Sequence, residues 1–179
     1  MKIEFIDTNL HEIDEVEVQA MIVSAFREER PFFGMAGLVD WRMCSEFSRL
    51  ALDKFVTSEL GEAVMVPAYN RLRADSVILL GLGQGKNFGP DEVRLLGTRI
   101  SEIIRGLHLS TLLIDLPGSP HSTLSPGKRM QFLLESMKKN GVLSSGNIRM
   151  LIAEKAGYHS KLQSVARRMN PRSMGNIYG

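Results

Sequence analysis

Short apolar runs alternate with longer stretches whose apolar residues recur at helical spacing. This alternation narrows what the chain can fold into more than any other feature. Gln19 to Phe26 (QAMIVSAF) is nearly continuous in apolar character, as expected of a strand covered on both faces. Lys2 to Ile6 alternates apolar and polar residues and reads as a short strand. Asp40 to Val56 carries Phe47, Leu50, Ala51 and Phe55 at helical spacing, with Asp40 as its expected N-cap. Two β-rich runs follow, Ala63 to Pro67 and Ser76 to Leu80, separated by the turn-like Tyr69-Asn70-Arg71.

The second half is more regular. Gly89-Pro90-Asp91-Glu92 puts proline and two carboxylates into a first helical turn, where the fixed φ and the positive end of the helix dipole favour them. Val93, Leu96, Ile100, Ile103, Ile104 and Leu107 continue as one apolar stripe. Thr111 to Leu116 reads as a buried strand, and Ser125-Pro126 opens a helix with Met130, Leu133, Leu134 and Met137 on one face. Asn140-Gly141 stops it. Ile148 to Ala153 is a last strand, and Tyr158, Leu162, Val165 and Met169 line a last helix. The pattern predicts a three-layer α/β domain over residues 1–169, its mixed, mostly parallel sheet lying between helices. Residues 170–179 are polar, contain Pro171, Gly175 and Gly179, and are expected to be flexible.

Composition excludes several classes. Hydrophobic residues at 44% against 23% charged can build a core, which separates the chain from disordered sequences. A formal net charge of +2 gives no strong field for nucleic acid or membrane. Cys44 is the only cysteine, so an internal disulfide is excluded. No stretch reaches the ~20 apolar residues a membrane span needs, and a cytoplasmic location is expected.

Gly81-Leu82-Gly83-Gln84-Gly85-Lys86 is the one motif with a mechanism attached. Glycines after a strand let a phosphate approach the backbone, and a following helix turns N–H groups toward it. It is neither a Walker loop, since Asn87 stands where Ser or Thr would bind magnesium, nor a dinucleotide fingerprint, since Lys86 replaces the third glycine. A structural strand-to-helix turn is the favoured reading. His11, His108, His121 and His159 form no close pair, so no metal site and no cofactor are expected. Ser24, Ser119 and Ser122 lie outside any G-x-S-x-G elbow. Cys44 falls in a helical run and reads as a small buried hydrophobe. Arg27-Glu28-Glu29-Arg30 reads as a solvated loop whose charges pair among themselves. Phe32-Phe33 reads as a core-covering pair or a pocket wall.

In order along the chain, Ala20 to Phe26, Leu60 to Pro67, Val77 to Gly83 and the helix after Pro90 resemble the macro-domain-like amino-terminal domain of leucyl aminopeptidases. In that family this domain precedes a catalytic one, whose metal ligands lie in an Asn-Thr-Asp-Ala-Glu-Gly-Arg type motif. No such string occurs here, so the resemblance implies a stand-alone domain without peptidase activity. The same segments, with the Pro117–Pro126 loop and residues 148–169, are also similar to macro domains proper. The departures are Ser24-Ala25-Phe26-Arg27 in place of their Ala-Asn pair and a glycine cluster reduced to Gly34 and Gly37. In Pro117-Gly118-Ser119-Pro120-His121, prolines remove backbone donors.

The expected function is a non-catalytic binding or assembly module, with a protein partner or a second copy of itself. The alternative is a macro-type binder or hydrolase of a nucleotide or ADP-ribose-like phosphate. That ligand would sit among Ser24, Gly34, Gly37, Gly81, Gly83, Gly85, Lys86, Gly118 and Ser119. A third reading places DNA on the basic stretch Lys155, Lys161, Arg167, Arg168 and Arg172, which a solvated helix face explains equally well.

Overall fold

A computed structural model describes residues 1–118 and 121–170 of the chain. Strands β1 (Lys2–Ile6), β2 (Val18–Ala25), β3 (Ala63–Pro67), β4 (Ala74–Gly81), β5 (Thr111–Asp115) and β6 (Arg149–Ala153) form one sheet in the order β1-β6-β5-β2-β4-β3. All neighbours are parallel except β3, which pairs antiparallel with β4 as an edge hairpin. Tyr69 and Asn70 have positive φ in the turn between them. The helices are α1 (Leu10–Glu15), α2 (Gly34–Arg42), α3 (Glu46–Leu52), α4 (Pro90–Gly106), α5 (Pro126–Lys139) and α6 (His159–Met169).

Side chains alternate across a strand, so each buried strand feeds two cores. Ala20, Ile22, Ile78, Leu80, Leu112 and Ile114 point toward α4, α5 and α6, meeting Leu96, Ile100, Leu133, Met137 and Leu162. Met21, Val23, Val77, Leu79 and Leu113 point the other way, toward Ile13, Met35, Val39 and Phe47 of α1, α2 and α3. That two-sided burial is why β2, β4 and β5 read as apolar runs rather than alternations. The result is the three-layer, mostly parallel α/β architecture expected.

Local chemistry starts the helices. Glu92 Oε2 accepts from the Gly89 N–H at 2.9 Å at the head of α4, with Pro90 in the first turn. At the far end of the α4 stripe, Leu107 lies outside the helix and is exposed. Asn9 caps α1, a helix too short to show as a stripe, by accepting from the Glu12 N–H at 2.9 Å.

The single helix expected over Asp40–Val56 is in fact two. Cys44 and Ser45 both take positive φ, which breaks the helix between Arg42 and Glu46. Asp40 lies inside α2 and does not start it. Its carboxylate instead reaches forward to cap α3, accepting from the N–H groups of Phe47 (2.8 Å) and Ser48 (3.2 Å) and from the Ser48 hydroxyl (2.5 Å). Cys44, expected buried, is exposed on that turn, and Phe55, expected on the apolar face, is 70% exposed beyond the end of α3. Helical spacing matches either one helix or two, and only the cap geometry separates them. At the other end of the chain Asn170 is buried against the first strand, its side-chain amide donating to the Met1 carbonyl at 3.0 Å. The stretch expected to be flexible lies, from residue 171 on, outside the described residues.

Candidate functional site

The carboxyl ends of the parallel strands converge on one edge of the sheet, where ligand sites of open α/β sheets form. Ladder pairing between β2 and β5 ends at Ile22–Ile114. Beyond it the Asp115 carboxylate takes over. The Ser24 N–H donates to Oδ2 at 3.0 Å, and the Ser24 hydroxyl lies 2.9 Å from both oxygens. Asp115 is 3% exposed. Burial pushes its carboxyl up to about 7 against the pull of the Ser24 hydrogen bonds; Glu154 adds to the rise and Arg129 opposes it.

Arg129 projects from the first turns of α5 into the same layer and is itself buried. It donates to the carbonyls of Leu116 (2.8 Å) and Pro117 (3.2 Å) and pairs with Glu154 Oε2 at 2.9 Å. Glu154, just past β6, also accepts from the Lys155 N–H at 3.0 Å. Both side chains of the pair are almost fully enclosed, so removing either would strand the other charge. This assembly borders a cleft of about 330 Å³. The lining comes from Thr8 after β1, from Gly34, Met35 and Leu38 of α2, from Asp115, and from Ala153, Glu154 and Lys155.

The Gly81–Lys86 loop lies elsewhere on the same edge and is bound up with its own chain. The N–H groups of Gly81, Leu82 and Gly83 donate to the carbonyls of Glu62 (2.8 Å), Ala25 (3.0 Å) and Ser58 (3.0 Å). The Gly85 N–H donates to Glu28 Oε1 at 2.7 Å, so a carboxylate already occupies the place a phosphate oxygen would take. Glycine is required at 81 because a Cβ would collide with the carbonyl oxygen of Glu59. Lys86 is exposed beside Arg27, Glu28 and Gln84 around a shallow groove. A single 3₁₀ turn, Gly85–Asn87, separates the loop from α4, giving the strand-to-helix turn favoured from the sequence.

Of the other expected site residues, Gly34 lines the cleft, Ser24 reaches it through Asp115, and Gly37 sits in α2 where a Cβ would meet the Phe32 carbonyl. Gly118 takes φ +91 beside the ring of Phe88. Ser119 lies outside the described residues.

The Arg27–Arg30 loop departs from expectation, because its charges pair outward. Arg27 bridges Glu59 at 2.8 Å, Glu28 holds Gly85, and Arg30 stacks on the buried Phe32 ring and bonds Ser58 Oγ. Glu29 is buried, with Oε2 accepting from the Phe26 N–H at 3.0 Å and Oε1 facing His121 Nε2 at 3.5 Å. Burial raises its pKa. Phe33 is half exposed and meets the His121 ring edge-on.

Sequence reasoning missed Asp115, Arg129, Glu154 and Glu29. The available signal was weak: an acid closing the apolar run Thr111–Asp115, and an arginine beside Met130 at the buried edge of a helical stripe. Among the described residues no group of three or more His, Cys, Asp or Glu side chains is gathered to hold a metal ion, and no helix is long and apolar enough to cross a membrane.

This architecture is that of the macrodomains. The macrodomain of Mycobacterium tuberculosis DarG superposes with a TM-score of 0.65 at 12% identity, covering 86% of this chain and 98% of that one. The Trypanosoma brucei macrodomain in complex with ADP gives 0.71 at 12% identity, over 92% and 68%. At such identity the likeness concerns the fold alone. Family is decided by sequence: the profile of the cytosol aminopeptidase family, N-terminal domain, matches residues 28–128, and the chain belongs to that family. A probable cytosol aminopeptidase of Sulfurihydrogenibium sp. (strain YO3AOP1) is 26% identical over 110 residues, 62% of this chain. The matched stretch is 22% of that relative's length.

Proposed function

We propose that the chain is a non-catalytic binding or assembly module of the cytosol aminopeptidase family, without peptidase activity of its own, working in the cytoplasm. The observation that carries this is the family match, which falls on the N-terminal domain and takes in none of the metal-ligand string of the catalytic one. Large apolar side chains left in solvent supply the surface for association: Trp41 on α2, Leu52 on α3, Phe55 beyond it, and Met65 on the edge strand β3. An edge strand with no charged residue between Ala63 and Pro67 is open to pairing with a further chain.

Two measurements test the reading together. The purified chain should not hydrolyse leucyl-p-nitroanilide with zinc or manganese present. Light scattering should show association that weakens when Leu52 and Phe55 are both changed to Ser. Metal-dependent turnover that follows the protein through purification would overturn the first half. A concentration-independent monomer that captures no family catalytic chain would overturn the second.

Macro-type binding of a nucleotide or ADP-ribose-like phosphate is the second reading, and the likeness to a macrodomain solved with ADP supports it. The backbone donors that the Gly81–Lys86 loop spends inside the chain weigh against it.

A further inference from the structure

We propose that the cleft at the carboxyl ends of β5 and β6 binds an aliphatic α-amino acid in its zwitterionic form. Asp115 would take the ammonium, Lys155 and the N-terminus of α2 the carboxylate, and Met35, Leu38 and Ala153 the side chain. Opposite charges and apolar side chains line this cleft together. A carboxylate has about four acceptor positions. Among the described residues Ser24 alone donates to Asp115, with one N–H and one hydroxyl proton to give, so two positions are left over there, and Asp115 lines the cleft. The neighbouring Glu154 is already committed to Arg129 and to the Lys155 N–H. Asp115 is thus the acid with acceptor capacity to spare.

Gly34 and Met35, at the start of α2, also line the cleft, and the first N–H groups of a helix have no partner within it and carry partial positive charge. Lys155 adds a full positive charge at the exposed rim. A simple cation would satisfy only the acid and a simple anion only the helix end. A zwitterion satisfies both, since Asp115, Lys155 and the start of α2 line the same cleft. A cleft of about 330 Å³ is at the small end of the range for small-molecule sites, which suits a single amino acid.

Binding is linked to protons. Among the described residues, the charged groups around Asp115 are Glu154 and Lys155 past β6 and Arg129 of α5; Ser24 on β2 contributes hydrogen bonds, and the cleft-lining residues of α2 carry no ionisable side chain. Only the ionised acid receives an ammonium, so each ligand bound below neutral pH displaces one proton. Affinity therefore rises with pH up to about 7 and levels off above it, until the ligand amine itself loses its proton.

The experiment is a titration of the ¹⁵N-labelled chain with leucine, isopentylamine and isocaproate at pH 5, 6, 7 and 8. Leucine should shift the amides of Ser24, Gly34, Ala153 and Lys155 at millimolar concentration, its affinity growing about tenfold from pH 5 to 6 and about fivefold from pH 6 to 7. The amine and the acid, each with one charge, should bind at least about tenfold more weakly. Asp115→Asn should cost leucine about tenfold or more and abolish the pH dependence. Lys155→Glu, at an exposed position, should weaken leucine and leave isopentylamine unharmed. The proposal is overturned if leucine moves none of these amides, if isopentylamine or isocaproate binds as well as leucine, or if neither variant changes the affinity. None of these outcomes bears on peptidase activity or self-association, so this inference and the module reading fail independently.

Discussion

Asp115→Asn is expected to change how the fold responds to pH. In the native chain burial holds the Asp115 carboxyl at about 7, against an ordinary value of 3.8 that it regains on unfolding. Between those values the folded state binds a proton that the unfolded state has released, so stability falls as pH rises. The contribution is fully present below the unfolded pKa and is lost as pH passes the folded one. One pH unit of difference corresponds to about 1.4 kcal/mol, so going from pH 4.5 to pH 8 should cost the native chain about 3 kcal/mol through this residue alone. Asparagine keeps an acceptor for the Ser24 N–H and hydroxyl and cannot ionise, and its amide can donate into the cleft. Urea unfolding at pH 4.5, 6, 7 and 8 should show native and variant close together at the acid end and the variant ahead by pH 8. Glu29, whose pKa burial also raises, is common to both proteins and cancels in the difference. Parallel pH profiles would refute the argument, because they would mean that Asp115 ionises in the fold as readily as in water.

Asp40→Ala should destabilise the chain by about 2 kcal/mol, the loss of a cap plus the buried Phe47 N–H left without an acceptor. That is a drop of about 6 °C in Tm by calorimetry for a chain of this size, and a fall below about 1 °C would mean α3 does not depend on this carboxylate. ADP-ribose should leave the amides of Gly81, Gly83 and Gly85 unmoved in a chemical-shift titration, since their protons are committed inside the chain. Saturable shifts at those three glycines would restore the macro-type reading, and Glu28→Ala is the variant in which they should be easiest to provoke.

The apolar patterns of this sequence settle its elements and layers. The stripe from Val93 to Ile104 can bury only as a helix, and the runs in β2, β4 and β5 can satisfy their backbone only in the middle of a sheet with both faces covered. Strand–helix alternation then makes the sheet mostly parallel. These are effects of neighbours a few residues apart, and periodicity records them. What the patterns leave open is where helical spacing pauses, as between α2 and α3, because Cys44 and Ser45 are not residues that announce a left-handed turn. They leave open the site as well. Ser24 meets Asp115 across 91 residues of chain, Glu28 meets Gly85 across 57, and Arg129 meets Glu154 across 25. None of these pairs has a spacing signature. An acid at the end of a strand looks the same in sequence whether water or protein surrounds it. Only the tertiary arrangement, with Ser24 of β2 bonded to it and Glu154 past β6 and the start of α2 around the same cleft, buries Asp115 and raises its proton affinity.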